Sequence, residues 1–166
     1  MALRKRKTMK KIKNPYLGLS AEEYNCFACA PHNPYGLHME FYEDGDDIVC
    51  FWTPDKNFQS WPETLHGGIQ ATLIDETAGW LISRKFQTSG VTTSFNLKYR
   101  KAVAVGEEHR IEVRASVREV KRNFVFMDVV LKCDDELCTT AEITFFCQPK
   151  QLAVEKYKFL PHELEE

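Results

Sequence analysis

Two adjacent carboxylates, Asp75 and Glu76, stand in a run from Leu65 to Ile82 that is otherwise almost wholly apolar and has no Lys or Arg before Arg84. A buried charge is costly unless it is paired or used. Burial raises a carboxyl pKa toward the range where it can take a proton from water. The same run opens on His66-Gly67-Gly68, and the two glycines leave the backbone amides bare. A helix start has unpaired N–H groups and a partial positive charge, which suit an anion or a polarised carbonyl oxygen.

The spacing adds a constraint. His66 and Asp75 are nine residues apart, which on a helix is about two and a half turns and ~13 Å of rise. They therefore lie on opposite sides, and one chain can hardly bring both to one reacting atom. Two chains related by a two-fold axis could, each giving its helix start to the Asp75 of the other. Glu76 sits about 100° round the helix from Asp75 and cannot serve the same site. It is read as a structural partner for a basic residue.

The elements that position these groups follow from the hydropathy pattern. A run with no wet face predicts a helix from about His66 to Lys85, wrapped on all sides by a sheet. Before it, His38–Tyr42 and Ile48–Trp52 read as strands joined by Glu43-Asp44-Gly45-Asp46. After Gly90 the period changes to two: Thr92–Arg100 and Arg110–Arg118 are strands, and turns at Lys121-Arg122-Asn123 and Asp134-Asp135-Glu136 lead into Phe124–Cys133 and Leu137–Cys147. Ser20-Ala21-Glu22-Glu23 reads as a short capped turn. One helix with a single antiparallel sheet is an α+β layout.

The chain of 166 residues is long enough for one full core. Its first thirteen residues carry seven basic groups and no acid, leaving fifteen basic against twenty-four acidic groups, a net −9, for the rest. The acidic body argues against nucleic acid as a partner. No apolar run is long enough to span a bilayer, and no apolar stretch follows the basic start, so neither a membrane anchor nor a secretory leader is expected. The expected organisation is a disordered basic arm over residues 1–20, one domain over 21–148 and a charged surface tail over 149–166; residues 1–8 are expected to be dispensable. Most of the six cysteines are expected to be free thiols, as in a cytoplasmic protein.

These residues resemble a known family. His66-Gly67-Gly68 with Ala71-Thr72-Leu73 and Asp75, preceded by Phe58-Gln59-Ser60-Trp61-Pro62 and followed by Gly90-Val91-Thr92-Thr93, is similar to the hot-dog-fold acyl-CoA thioesterases of the phenylacetate-degradation type. So is Cys26-x-x-Cys29 followed by Asn33-Pro34-x-Gly36-Leu37. The resemblance spans residues 24–148. It implies five or six strands wrapped round the central helix, and a homodimer or dimer of dimers with active sites at the helix seam. It implies hydrolysis of an acyl-CoA to free acid and CoA. It gives catalytic roles to the Gly67 amide as carbonyl donor, His66 as organiser of the loop, and Asp75 of the partner chain as base or nucleophile. Gly68, Gln59, Ser60, Trp61, Thr92 and Thr93 are the implied substrate-binding residues. Ser60 stands where several members have Asn.

Two other functions fit the same fold: a non-catalytic acyl-CoA-binding protein and a hydroxyacyl-thioester dehydratase. Phe51, Trp52, Trp61 and Trp80 are candidates for pocket or core, and Lys98, Arg100 and Lys101 for CoA phosphates or solvated charge. Cys26-x-x-Cys29, with His32 and His38 nearby, has metal-ligand spacing on one side only. A second cysteine pair is missing, so no metal and no cofactor are expected.

Overall fold

The computed structural model describes residues 9–166. Its elements are β1 (Lys10–Lys11), β2 (Phe41–Asp44), β3 (Asp47–Trp52), α1 (Gly67–Leu81), β4 (Gly90–Tyr99), β5 (Ile111–Lys121), β6 (Phe124–Cys133), β7 (Glu136–Cys147) and α2 (Lys150–Tyr157). The strands form one antiparallel sheet in the order β1-β2-β3-β5-β6-β7-β4. The sheet curves round α1, and the α+β layout stands with seven strands rather than five or six. The extra one is the two-residue β1, paired to β2 through Lys10–Glu43 and Lys11–Tyr42.

The inner faces of β5, β6 and β7 supply the core. Ile111, Val113 and Ala115 alternate with polar neighbours, and in β6 buried Val125, Met127, Val129 and Leu131 alternate with less buried residues. They meet Leu73, Ile74, Ala78, Leu81 and Ile82 from the helix. Turn chemistry sets the registers. Gly45 at positive φ closes the β2–β3 hairpin, while Asp134 and Asp135, both at positive φ, close β6–β7 as a two-residue turn.

α1 ends in one wide π-type turn, Ile82–Phe86. Arg84 Nε and Lys85 Nζ both reach Glu43 at 2.9 Å, placing two cations in the last turn, where the helix dipole favours them. The helix is not wrapped on all sides within one chain. Gly68 is exposed and Thr72, Asp75 and Gly79 are half-buried, forming a stripe along one face. The sheet has no strand to lay there, because β4 is its last.

The two chain ends depart from expectation together. Residues 1–8 of the basic arm lie outside the described residues, but the rest of the arm is docked. Ile12 is buried and bridges Leu164, Lys13 N–H donates to Glu163 O at 2.7 Å, and Glu165 N–H donates to Lys11 O at 2.9 Å. Residues 149–166 are not a surface tail: α2 buries Ala153, and Phe159 and His162 follow it into the core. Their apolar groups are too widely spaced among charges to show a period in the sequence.

His162 stacks on Phe159 and meets Trp80 edge-on at 4.8 Å. Burial lowers its pKa from 6.5 to about 4. Between those values the unfolded chain binds a proton that the folded one refuses, so stability is full above pH 6.5 and is lost on acidification toward about 4. The gap corresponds to ~3 kcal/mol. Calorimetric melting temperatures should fall across this window, and less steeply in His162→Phe. Equal slopes would show that His162 is not responsible.

Candidate active site

The loop before α1 is a closed knot of backbone bonds. Ser60 N–H donates to Thr64 O at 2.8 Å, Gln59 bridges Leu65, and His66 N–H donates to Phe58 O at 3.0 Å. The side chains expected near substrate are partly spent here. Ser60 Oγ donates to Thr64 O at 3.3 Å, and Gln59 Oε1 accepts from the Glu63 amide at 3.4 Å. Trp61 is 79% exposed at the loop tip and takes no part in the core of this chain.

His66 is the N-cap of α1, its Nδ1 accepting from the Gly68 amide at 2.9 Å. Capping residues are usually Ser, Thr, Asp or Asn; a neutral imidazole does the same work with a ring nitrogen. The Gly68 amide is therefore occupied. Gly67, the first helical residue, has no intrahelical acceptor for its N–H, as at any helix start. Its carbonyl accepts from the Tyr99 hydroxyl at 2.8 Å, and a Cβ on Gly67 would sit 3.3 Å from the Tyr99 ring. A side chain at residue 67 would therefore crowd the ring. Tyr99, at the far end of β4, was not singled out by sequence reasoning, since only the fold brings it to residue 67.

Asp75 lies two and a half turns along the same helix, and its Oδ1 accepts from Thr92 Oγ1 at 2.7 Å. Burial raises the Asp75 pKa above the ordinary 3.8, and the Thr92 bond only partly offsets this. No cation among the described residues pairs with it. β4 shifts register between Thr92 and Ser94, a bulge that takes up Thr93 and aims its hydroxyl instead at Thr144 O, 3.1 Å away. The structure thus joins Asp75 with Thr92 and sends Thr93 elsewhere. It keeps Asp75 in the middle of α1, about two turns and ~12 Å of rise from Gly67 within one chain.

Glu76 departs from expectation. It has no basic partner among the described residues. Its Oε1 accepts from Trp80 Nε1 at 3.1 Å and from Cys26 Sγ at 3.6 Å. Burial raises its pKa, and the thiol and indole donors hold it back only in part. Trp80 and Trp52 belong to the core, Trp80 stacked on Phe41 at 4.4 Å and Trp52 donating to Leu37 O at 2.8 Å. Arg100 is engaged with Thr140 and Lys101 with Glu136.

Residues 63–140 match the family model described as thioesterase superfamily. No curated protein sequence matches the chain. Among solved structures it is similar to a thioesterase superfamily protein at 17% identity and TM-score 0.67, over 75% of this chain but only 60% of that one, under two thirds of its length. It is similar to a hypothetical thioesterase from Streptococcus pneumoniae TIGR4 solved with coenzyme A, at 20% identity and TM-score 0.58, over 63% of this chain and 82% of that one. It is also similar to the PaaI protein of the E. coli phenylacetic acid degradation operon, at 14% identity and TM-score 0.62, over 69% of this chain and 82% of that one. At such identities the shared property is the fold, a curved antiparallel sheet round one long helix.

Proposed function

We propose that this chain, a hot-dog-fold protein whose residues 63–140 match the thioesterase superfamily model, hydrolyses an acyl-CoA thioester to the free acid and CoA. The observation that carries this reading is the state of Asp75: half-buried, raised in pKa, held by one hydroxyl and facing the uncovered stripe of α1. A carboxylate so placed is more basic than an exposed one and is not neutralised by a cation among the described residues.

The partner surface is the other half of the reading. β4 is a ten-residue edge strand whose outer side meets no other strand among the described residues, with Val91 and Tyr99 exposed. A long open edge is a template for strand pairing. A second copy paired there across a two-fold axis lays helix start against Asp75, twice. In each site the Gly67 amide of one chain takes the thioester oxygen. Asp75 of the other chain either removes a proton from the attacking water, or attacks the carbonyl carbon itself to form a mixed anhydride that water then hydrolyses to the free acid. Negative charge then builds on the oxygen, where the amide stabilises it, and the CoA thiolate leaves. Thr92 positions the carboxylate. Gln59, Ser60, Trp61 and Gly68 line the approach from the loop side. Six free thiols suit a cytoplasmic setting, and no described helix is long and apolar enough to cross a membrane.

Two measurements test this together. Purified protein should release free thiol from at least one member of an acyl-CoA panel, and light scattering should give a dimer or tetramer at micromolar concentration. An active monomer would sink the shared site. Tight acyl-CoA binding with no thiol release would leave a binding protein instead of an enzyme.

A further inference from the structure

Away from Asp75, on the other side of α1, three potential ligands that are distant in sequence meet. Cys26 Sγ, Cys29 Sγ and a Glu76 carboxylate oxygen all lie within 4.8 Å of one another. We propose that Cys26, Cys29 and Glu76 bind one zinc ion. The sequence expectation of no metal rested on the missing second cysteine pair; the third ligand comes instead from the helix, fifty residues further on.

The geometry supports this ligand set. Zinc holds thiolate sulfur at about 2.3 Å and carboxylate oxygen at about 2.1 Å, so two such ligands on a tetrahedral ion stand about 3.6 Å apart. Cys26 Sγ and Glu76 Oε1 are 3.6 Å apart. The loop that carries both cysteines closes on itself through Ala30 N–H to Cys26 O at 3.1 Å, which brings the two thiols to one side of the turn.

The surroundings hold the other ligands in place. The Tyr24 hydroxyl is 3.0 Å from Cys29 Sγ and is itself held by Asn14 Nδ2 at 2.9 Å. The Trp80 indole fixes Glu76 Oε1. Outer contacts of this kind orient metal ligands and tune them. Charge favours the same conclusion. Two thiols and a carboxyl are gathered with no Lys or Arg paired to any of them among the described residues, so once deprotonated they have no cation but a bound metal to neutralise them. Binding would release the two thiol protons, and the carboxyl proton where Glu76 carries one.

Access is available, because all three residues line one cavity of about 310 Å³ shared with Tyr24, Ser89 and His162. The fourth zinc position would face that space and take water or a small ligand. Thiolates favour zinc over hard cations such as magnesium. The proposal does not depend on the acyl-CoA reading, and its readouts do not use turnover.

The test uses the full chain, reduced, stripped with a chelator and titrated with Co²⁺ alone. One equivalent should bind, with thiolate-to-cobalt charge-transfer absorption and the intense visible bands of a four-coordinate ion, and Zn²⁺ should then bleach both. Cys26→Ser and Cys29→Ser should each lose most of the charge-transfer band. Glu76→Gln should keep it but weaken cobalt affinity by about tenfold or more. As serine variants could fail to fold, wild-type protein gives a second readout: Zn²⁺ should shield Cys26 and Cys29 from alkylation, mapped by mass spectrometry, and leave the other four cysteines unchanged.

Folded protein with no cobalt spectrum, or alkylation that ignores Zn²⁺, would overturn the site. Unchanged cobalt affinity in Glu76→Gln would remove the helix ligand and with it the proposal. A Cys26–Cys29 disulfide in protein isolated without reductant, with no metal uptake after reduction, would replace the metal site with a redox pair.

Discussion

Asp75→Asn should lower kcat by about two to four orders of magnitude, the scale of losing a general base. KM should change much less, because the Gly67 amide and the loop that precedes it still hold the substrate. The substitution keeps size and shape, and Asn can still accept from Thr92 Oγ1, so helix content, melting temperature and assembly state should stay near wild type. Glu76 cannot substitute for the lost base, since its carboxylate faces the thiols and the Trp80 indole. The wild-type rate should also carry an acid limb set by a carboxyl above the ordinary 3.8, because burial favours the protonated form. That limb should vanish from the residual activity of the Asn variant. Full turnover in Asp75→Asn would take the chemistry away from this residue altogether.

Gly67→Ala is the second large effect. Alanine is the better helix former, so local propensity alone would stabilise α1. The added methyl, however, would stand 3.3 Å from the Tyr99 ring, and one of the two must move by a few tenths of an ångström. That movement is applied to the residue whose N–H is assigned to the carbonyl oxygen. A misplacement of about 1 Å can cost on the order of a hundredfold in rate, so kcat should fall on the order of tenfold to a hundredfold while the melting temperature holds or rises. Adding Tyr99→Leu, which clears the space, should restore part of the loss. A double variant no better than Gly67→Ala would show that the ring contact is not the cause.

The central helix was legible because nothing in the sequence gives it a wet face, and the observed Gly67–Leu81 with its terminal wide turn covers nearly the expected span. The long strands were legible because Ile111, Val113 and Ala115 alternate with polar residues. Asp75 could be singled out because a carboxylate in that run is out of place; that it would accept from Thr92 Oγ1 could not be read from the run itself. Other features left no local trace. Tyr99 reaches Gly67 across thirty-two residues, and Glu76 reaches Cys26 across fifty. Such pairs are created by strand order and not by periodicity. The docking of Phe159 and His162 was hidden for the same reason, because their apolar partners sit on other elements.

The seam between residues 11–13 and 163–165 has a kinetic consequence. It closes a loop of nearly the whole chain, yet the entropic cost grows only as the logarithm of loop length, so distance in sequence does not forbid it. What distance does is delay it: contacts between remote segments form after local ones. The central strands β5, β6 and β7 are joined by two-residue turns or close to it and can assemble early. The seam adds one short bridge and a few hydrogen bonds at the sheet margin. It should therefore be the last part to zip and the first to open. In native-state hydrogen exchange, the amides of Lys13 and Glu165 should trade deuterium long before those of Val129 or Leu131, so that the order of exchange runs from the joined ends inward.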